Sequence, residues 1–177
     1  VDERRDPVRS TDGAVRFLNY LRRQFGSLYL AAAAYNGGPG RVARGLVRYS
    51  DDLEGTTGDS LFFALAETDS LRRETRDYVP QLVAAALVGK ASGRYGVLPE
   101  SLPPFQFDTV RVPAATPLAA VAAASRATLA EIGDLNRHLL RGMTPPEGPS
   151  LVRIPVGRAP GFSARLDALD DSLLRAL

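Results

Sequence analysis

The chain has 177 residues, 45% of them hydrophobic and 24% charged, which suits one medium soluble domain or two small ones. Its 22 basic residues nearly balance 20 acidic ones, and a formal net charge of +2 does not indicate a general polyanion binder. The lack of cysteine excludes disulfides and thiolate chemistry, and the single histidine, His138, excludes a multi-histidine zinc site, so we expect no metal or cofactor.

The chain also lacks an apolar run near the ~20 residues that cross a bilayer. It begins at Val1 rather than methionine and ends at Leu177 inside a helical pattern. We therefore expect it to be part of a longer protein, and any membrane association to depend on a preceding segment.

The first half of the chain has the periodicity of helices joined by short loops. Its first helix is predicted to be amphipathic, with Ser10 or Thr11 as N-cap and Gly26 as C-cap. Residues 27–36 are apolar on all sides, as in a helix inside a core. A third helix is predicted over 41–49 and a short helical turn over 61–66. A long helix is predicted to start between Thr75 and Tyr78, with Pro80 in its first turn. The predicted core stripe of this last helix is Val79, Leu82, Val83, Ala86 and Leu87.

A proline-rich stretch over 96–104 changes the composition and predicts a domain boundary. After it the order is strand, helix, helix, strand, with Thr116 and Thr128 as the N-caps of the two helices. The alternation of the first strand changes phase near Thr109, which predicts a bulge or a late start. The predicted division is a helical domain over 1–97, a linker over 98–106, a βααβ domain over 107–157 and a final helix over 158–177.

The segment AYNGGPGRV, residues 34–42, joins a glycine-rich turn to an aromatic and an amide side chain. Glycine permits positive φ and a close backbone approach, which would direct Tyr35 and Asn36 into a cleft. Tyrosine offers an apolar face and a hydroxyl to a sugar ring, and asparagine offers a donor and an acceptor. Alone, the segment favours a glycine-capped helix end in which Tyr35 is a core residue and Asn36 a cap.

A second polar pattern, ETRDYV, begins at Glu74. Glu74 and Tyr78 are four residues apart and share a helix face if the helix has begun by Glu74. Placed opposite Tyr35 and Asn36, they would complete the polar wall of a cleft. The alternative is a solvated first turn in which Glu74 meets the helix dipole.

Together, three segments resemble, in order and spacing, the back half of the lysozyme-like catalytic domain of lytic transglycosylases. They are VDERRDPVRSTDGAVRFLNYLRRQFG, LAAAAYNGGPGRV and RETRDYVPQLVAAALVGKASGRYGV, and the resemblance covers about residues 1–97. It implies cleavage of peptidoglycan strands between N-acetylmuramic acid and N-acetylglucosamine, without water and with a 1,6-anhydro product. By motif position, it assigns to substrate binding Tyr35, Asn36, Gly37, Glu74 and Tyr78.

The same resemblance places the general acid outside this chain. In the family, the acid is a glutamate in a Glu-Ser pair on a helix ahead of the matching region, and the Gly-Leu-Trp/Met-Gln segment that follows it is also absent here. Glu3 and Asp6 lie among arginines that would keep them ionised, whereas a general acid requires a raised pKa. Glu74 occupies a supporting position. We therefore expect no catalytic carboxylate in this chain and a glutamate upstream of it.

Residues 107–157 resemble a LysM module, which binds N-acetylglucosamine-containing glycans in a shallow groove. The likeness rests on VRVPAATPLAAVAAASRATLAEIGDLN and LVRIPVG, notably the Leu-Asn that ends the second helix and the closing Ile-Pro strand. The usual Gly-Asp-Thr after the first strand is Ala114, Ala115 and Thr116 here. The expected fold is therefore mainly α, an incomplete lysozyme-like helical domain followed by a small βααβ LysM-like domain.

Two alternatives remain at this stage. A non-catalytic protein that binds peptidoglycan or chitin-type glycans would use the same cleft wall. A DNA-binding helix-turn-helix over 117–140 would explain the two short helices, but the flanking strands and weak net charge argue against nucleic acid. We expect a monomer of the bacterial cell envelope, periplasmic or associated with the outer membrane, whose partner is the peptidoglycan strand. His138 is expected to be a surface or loop residue.

Overall fold

The computed structural model describes residues 1–97 and 104–169, which form two compact units. One unit contains residues 11–97. The other combines residues 104–169 with residues 1–10, which the sequence pattern had grouped with the helical domain. The predicted mainly α fold with a small βααβ part is confirmed.

Helix α2 forms the centre of the 11–97 unit. The helices described up to residue 97 are α1 (Pro7–Phe25), α2 (Leu28–Gly37), α3 (Pro39–Arg48), α4 (Ser60–Ala66) and α5 (Arg73–Lys90). Leu30 and the four alanines 31–34 are buried, and Ser27 caps the helix by accepting a hydrogen bond from the Leu30 N–H at 3.2 Å. The prediction of a helix that is apolar on all sides is confirmed, and its small side chains allow α3 and α5 to pack closely.

Helix α1 begins earlier than predicted because Asp6, rather than Ser10 or Thr11, caps it. The Asp6 Oδ1 atom accepts hydrogen bonds from the backbone N–H of Val8 at 2.9 Å and of Arg9 at 3.2 Å. A carboxylate here satisfies amide groups that have no partner within the helix and meets the positive end of the helix dipole. The predicted N-cap was therefore wrong.

Helix α5 starts earlier and is more exposed than predicted. It begins at Arg73, so Pro80 lies in the helix interior rather than in the first turn. Val79 is buried, but the side chains of Leu82 and Leu87 are 43% and 51% exposed. Periodicity marks an apolar face without showing how much of it another element covers. In the described part of the chain, full burial along α5 ends at Val79.

The second unit is a βααβ arrangement followed by a short helix. Its elements are β1 (Asp108–Val112), α6 (Leu118–Ser125), α7 (Leu129–Leu135), β2 (Ser150–Ile154) and α8 (Phe162–Asp167). The strands pair antiparallel with Val110 opposite Val152. Alternation along each strand places one face against a core that includes Val121, Ile132 and Phe162.

The helix caps and ends in this unit show which local signals were reliable. Thr128 caps α7, as predicted, and the structure shows that it forms a capping box with Glu131. Thr116 does not cap α6, because its hydroxyl donates to the Pro113 carbonyl at 2.9 Å and Pro117 occupies the N-cap position. The first strand starts late, at Asp108. The last helix is described to residue 167, and the part of its predicted span over 170–177 lies outside the described residues.

Asn136, which ends α7, binds the edge of β2. Its side chain is buried and accepts a hydrogen bond from the Arg153 N–H at 2.9 Å, while its amide nitrogen donates to the Arg153 carbonyl at 2.7 Å. The amide therefore pairs with both backbone groups of Arg153, as a neighbouring strand would. This contact gives the Leu-Asn signature of the predicted module a physical role.

A buried cluster of Asp6, His138 and Arg153 attaches residues 1–10 to the βααβ fold. Arg153 Nη2 donates to both carboxylate oxygens of Asp6, at 3.0 and 2.8 Å, and Asp6 is 1% exposed. The Asp2 N–H donates to the His138 carbonyl at 2.9 Å. His138 Nδ1 lies 3.7 Å from Asp6 Oδ2 and has no hydrogen-bond partner among the described residues. His138 lies in a loop but is buried, so the prediction that it is a surface residue was wrong.

Burial has opposite consequences for the two titratable members of this cluster. Burial acts to raise the pKa of Asp6, but the hydrogen bonds and charge of Arg153 and the Arg9 N–H outweigh it and hold the pKa below its usual value. Burial lowers the pKa of His138, and the Asp6 charge only partly opposes this effect. The folded protein therefore favours an ionised Asp6 and a neutral His138.

We predict that Asp6→Asn lowers the free energy of unfolding by about 3 kcal/mol, because it leaves the mostly buried Arg153 guanidinium without its counter-charge. Asparagine preserves the shape and much of the helix cap. Chemical denaturation measures the change. Asp12→Asn is the matched control, since its ion pair with Arg16 is exposed and should contribute below about 1 kcal/mol. Equal effects of the two substitutions would contradict the prediction.

We further predict that acidification destabilises the protein through His138. Because the pKa is lower in the folded state than its value of about 6.5 in the unfolded chain, the unfolded state binds more protons, and the free energy of unfolding falls as pH drops below about 6.5. Protonation of Asp6 lowers the free energy of unfolding only below about pH 4, because the pKa of Asp6 is also lower in the folded state than in the unfolded chain.

Denaturation of the wild type and of His138→Gln between about pH 7 and pH 5 tests this prediction. The variant should lose most of the pH slope in that window, and an unchanged slope would contradict the assignment. The charged groups around His138 that set its pKa are Asp6, Arg153, Arg9 and Glu3.

Candidate functional site

The predicted cleft residues meet where the C-terminus of α2 contacts the first turn of α5. Asn36 forms the junction, because its Nδ2 atom donates to Glu74 Oε1 at 3.4 Å and its Oδ1 atom accepts from the Thr75 hydroxyl at 2.8 Å. Thr75 is buried, whereas Glu74 is exposed. The structure thus joins Asn36 and Glu74, and Asn36 does not cap its own helix.

Gly37 lies directly against Thr75. A Cβ atom at position 37 would lie 2.6 Å from Thr75 Oγ1, which is too close for a Cβ contact, and 3.0 Å from Cγ2. Among the three glycines of the turn, Gly38 alone has a positive φ, of 91°. The requirement for glycine at position 37 is therefore close helix packing rather than the left-handed backbone conformation considered from the sequence.

Tyr35 belongs to an exposed group of aromatic rings rather than to the core. Its ring centroid lies 5.9 Å from that of Phe17, which in turn lies 6.4 Å from Tyr20 in a stacked arrangement. The exposed fractions are 40% for Tyr35, 41% for Phe17 and 53% for Tyr20. Tyr78, by contrast, is half-buried and packs against the helical core. Aromatic faces of this kind are suited to the apolar face of a sugar ring.

The sequence pattern did not point to Thr75, Phe17 or Tyr20. Thr75 follows Glu74 directly, and its role depends on which side of α5 meets α2, which no local motif specifies. Phe17 and Tyr20 are three residues apart on α1, so their proximity to each other was readable from helical spacing. Their proximity to Tyr35 was not.

A second candidate site is a cavity of about 550 Å³ in the βααβ unit, between the loop after β1 and the segment that joins α7 to β2. Thr144 shapes this loop, since its hydroxyl accepts from the Thr116 N–H at 2.8 Å and donates to the Pro113 carbonyl at 3.1 Å. Ala115 has a positive φ of 53°, an unfavourable conformation for alanine. Lining residues include Ala115, Leu139, Leu140, Met143, Thr144 and Pro145.

Comparisons with known proteins agree with both units. Residues 1–54 match the family described as "Transglycosylase SLT domain", and residues 106–171 match "Lytic transglycosylase MltD, LysM-like domain". These two matches lie in the first helices and in the βααβ unit, and they confirm the resemblance to lytic transglycosylases. The SLT match includes Tyr35, Asn36 and Gly37 but ends before Glu74 and Tyr78. The LysM-like match covers 117–140 and leaves the helix-turn-helix alternative without support.

The chain is similar to membrane-bound lytic murein transglycosylase D of Escherichia coli strain K12, at 31% identity over 156 residues. The protein of the same name from Escherichia coli O6:H1 strain CFT073 matches equally well. Each alignment covers 87% of this chain and 33% of the relative, so the chain spans about a third of the length of these relatives. No helix within residues 1–97 and 104–169 has the length and apolarity to span a membrane.

We predict that Gly37→Ala lowers the free energy of unfolding by about 2 kcal/mol, because its methyl group would overlap Thr75 and push α5 away from α2. Gly13→Ala in α1 is the control, since a Cβ there meets no atom within 4 Å. That substitution should stabilise the helix by up to about 1 kcal/mol. Chemical denaturation distinguishes the two, and a neutral Gly37→Ala would contradict the packing role.

Proposed function

We propose that this chain belongs to a peptidoglycan lytic transglycosylase and supplies one wall of its glycan-binding cleft. The observation that carries the proposal is the junction at Asn36, where an amide held by buried Thr75 meets the Glu74 carboxylate. The preceding residue, Tyr35, has an exposed ring. The proposed substrate-binding residues are Tyr35, Asn36, Gly37, Glu74 and Tyr78.

The hydrogen bonds at this junction orient the amide. Thr75 donates its hydroxyl proton to Asn36 Oδ1, so the Nδ2 atom of Asn36 must face Glu74. The pair presents a donor and an acceptor side by side, which suits the N-acetyl or hydroxyl groups of a sugar. Tyr35 would stack on the sugar ring, and Gly37 would keep α5 close enough to α2 for Glu74 to meet Asn36.

The proposed reaction needs one carboxyl group. As an acid, it protonates the glycosidic oxygen while the bond to C1 of the muramic acid breaks. As a carboxylate, it then removes the proton of the 6-hydroxyl, whose oxygen bonds to C1 and closes the 1,6-anhydro ring. We assign this role to a glutamate upstream of the chain and not to any of the five cleft residues.

The βααβ unit would bind the same glycan strand through the cavity beside Ala115 and Met143.

We retain the division into 1–97, 98–106, 107–157 and 158–177 as a proposal. The proposed location is the cell envelope, at the periplasmic side or the outer membrane, with any membrane attachment through a preceding segment. The proposed protein acts as a monomer and needs no cofactor.

A non-catalytic glycan-binding protein is the second candidate. The cavity in the LysM-like domain favours it, because binding there would need no catalytic group. The two candidates differ in whether the glycosidic bond is broken.

The test is release of 1,6-anhydromuropeptides from purified peptidoglycan, measured by chromatography. We predict release by a form extended upstream and none by the chain alone, because only the former would contain the acid. An inactive extended form would refute the enzyme assignment. Activity of the chain alone would refute the upstream location of the acid.

Two variants of the extended form test the role of Asn36. Asn36→Ala and Thr75→Val each remove the same partly buried hydrogen bond and should each lower the free energy of unfolding by about 1 kcal/mol. Turnover should fall by about tenfold or more in Asn36→Ala and by less in Thr75→Val, because only the former removes the proposed sugar contact. Equal losses of turnover would make Asn36 a purely structural link.

A further inference from the structure

Helix α3 carries a row of arginines along an open groove of the 11–97 unit. Arg41, Arg44 and Arg48 are spaced by three and four residues, which places them along one side of the helix. All three line a groove of about 620 Å³, which Asp69 and Ser70 also line. The groove lining also includes the apolar residues Ala43 and Val47.

The guanidinium groups of this groove are available to a ligand. Among residues 1–97 and 104–169, no carboxylate forms an ion pair with Arg41, Arg44 or Arg48, although several other arginines are paired. Among the described residues that line the groove, Asp69 is the one acidic residue, and it already accepts a hydrogen bond from the Tyr49 hydroxyl. The groove therefore carries a net positive charge.

The groove also has an apolar component. Val47 is 77% exposed within it, and the aliphatic stems of the arginines add further apolar surface. Arg48 lies over the Tyr49 ring, with its Cζ atom 5.4 Å from the ring centroid. A ligand that matches this surface combines carboxylates with small apolar groups.

Both chain segments that line the groove are close in sequence to residues of the candidate cleft. Helix α3 begins two residues after Gly37, and Ser70 lies four residues before Glu74. The ten residues of α3 extend over about 15 Å. An extended peptide of five residues spans up to ~17 Å. A peptide attached to a sugar bound at Asn36 is therefore long enough to run along α3.

We propose that this groove is a subsite for the acidic peptides that peptidoglycan strands carry on their muramic acid residues. Arginine binds carboxylates through paired N–H donors, and Ala43 and Val47 would contact the methyl groups of alanine. The inference rests on the proposed function, which supplies a sugar at Asn36 with a peptide attached.

The first experiment measures binding of a labelled free tetrapeptide, alanyl-γ-glutamyl-diaminopimelyl-alanine without sugar, to the chain by fluorescence anisotropy. Arg44→Gln/Arg48→Gln should weaken binding by about tenfold or more, because both guanidinium groups are exposed in the groove. The matched control is Arg16→Gln/Arg23→Gln on α1, which removes the same charge elsewhere and should change binding by less than about twofold. Thermal unfolding verifies that both variants are folded.

Three results would overturn the proposal. Equal weakening in both double variants would indicate attraction by net charge alone. Equal affinity for a tetrapeptide with amidated carboxylates would exclude carboxylate recognition. Binding of the chain to phosphatidylglycerol vesicles, lost in Arg44→Gln/Arg48→Gln, with no binding of the peptide, would assign the groove to a membrane surface instead.

The second experiment separates this proposal from the proposed function. In the upstream-extended form, Arg44→Gln/Arg48→Gln should slow cleavage of peptide-bearing strands and leave cleavage of peptide-free strands unchanged. If the double variant cleaves both substrates as the wild type does, and the wild type does not bind the free peptide, the subsite is refuted and the proposed function is not. Peptide binding without any cleavage would refute the enzyme and leave the subsite supported.

Discussion

The candidate site depends on the close approach of α2 to α5 at Gly37. A single methyl group at this position would come within 2.6 Å of Thr75 Oγ1. Because that methyl group is missing, the Thr75 hydroxyl reaches Asn36 Oδ1 at 2.8 Å, and Glu74 comes within 3.4 Å of Nδ2. The orientation of the amide is therefore a consequence of helix packing. The polar wall is held by the two hydrogen bonds that this packing permits.

Features that depend on neighbouring residues were predictable from the sequence. The apolar helix over 27–36 was recognised from its composition, and Thr128 was recognised as the N-cap of α7. The order of strand, helix, helix, strand followed from turn residues and alternation. Tyr35, Asn36 and Glu74 were assigned to a cleft by the family resemblance of their motifs, and the structure joins Asn36 to Glu74.

Features that depend on distant residues were not predictable. Asp6 caps α1 and also accepts two hydrogen bonds from Arg153, which lies 147 residues away. Local pattern favoured Ser10 or Thr11 as the cap because nothing nearby shows that Asp6 is buried. Helix α5 illustrates the same limit, since its apolar periodicity was clear but the extent of its coverage is a property of the packing. The sequence marked Gly37 for a positive φ or a close backbone approach at a cleft, whereas the close approach of Thr75 was visible only in the structure.

The arginines show why a nearly neutral chain can still recognise anions locally. A net charge of +2 argues against a general polyanion binder, because such binding depends on the summed field of the protein. Within that balance, Arg153 is neutralised in a buried pair with Asp6, whereas the three arginines of α3 face an open groove without carboxylate partners among the described residues. At short range, the arrangement of individual guanidinium groups matters more than the sum, since salt screens charges beyond about 8–10 Å. A ligand with a few carboxylates, held beside the groove by a sugar in the cleft, would meet a positive surface that the composition of the whole chain conceals.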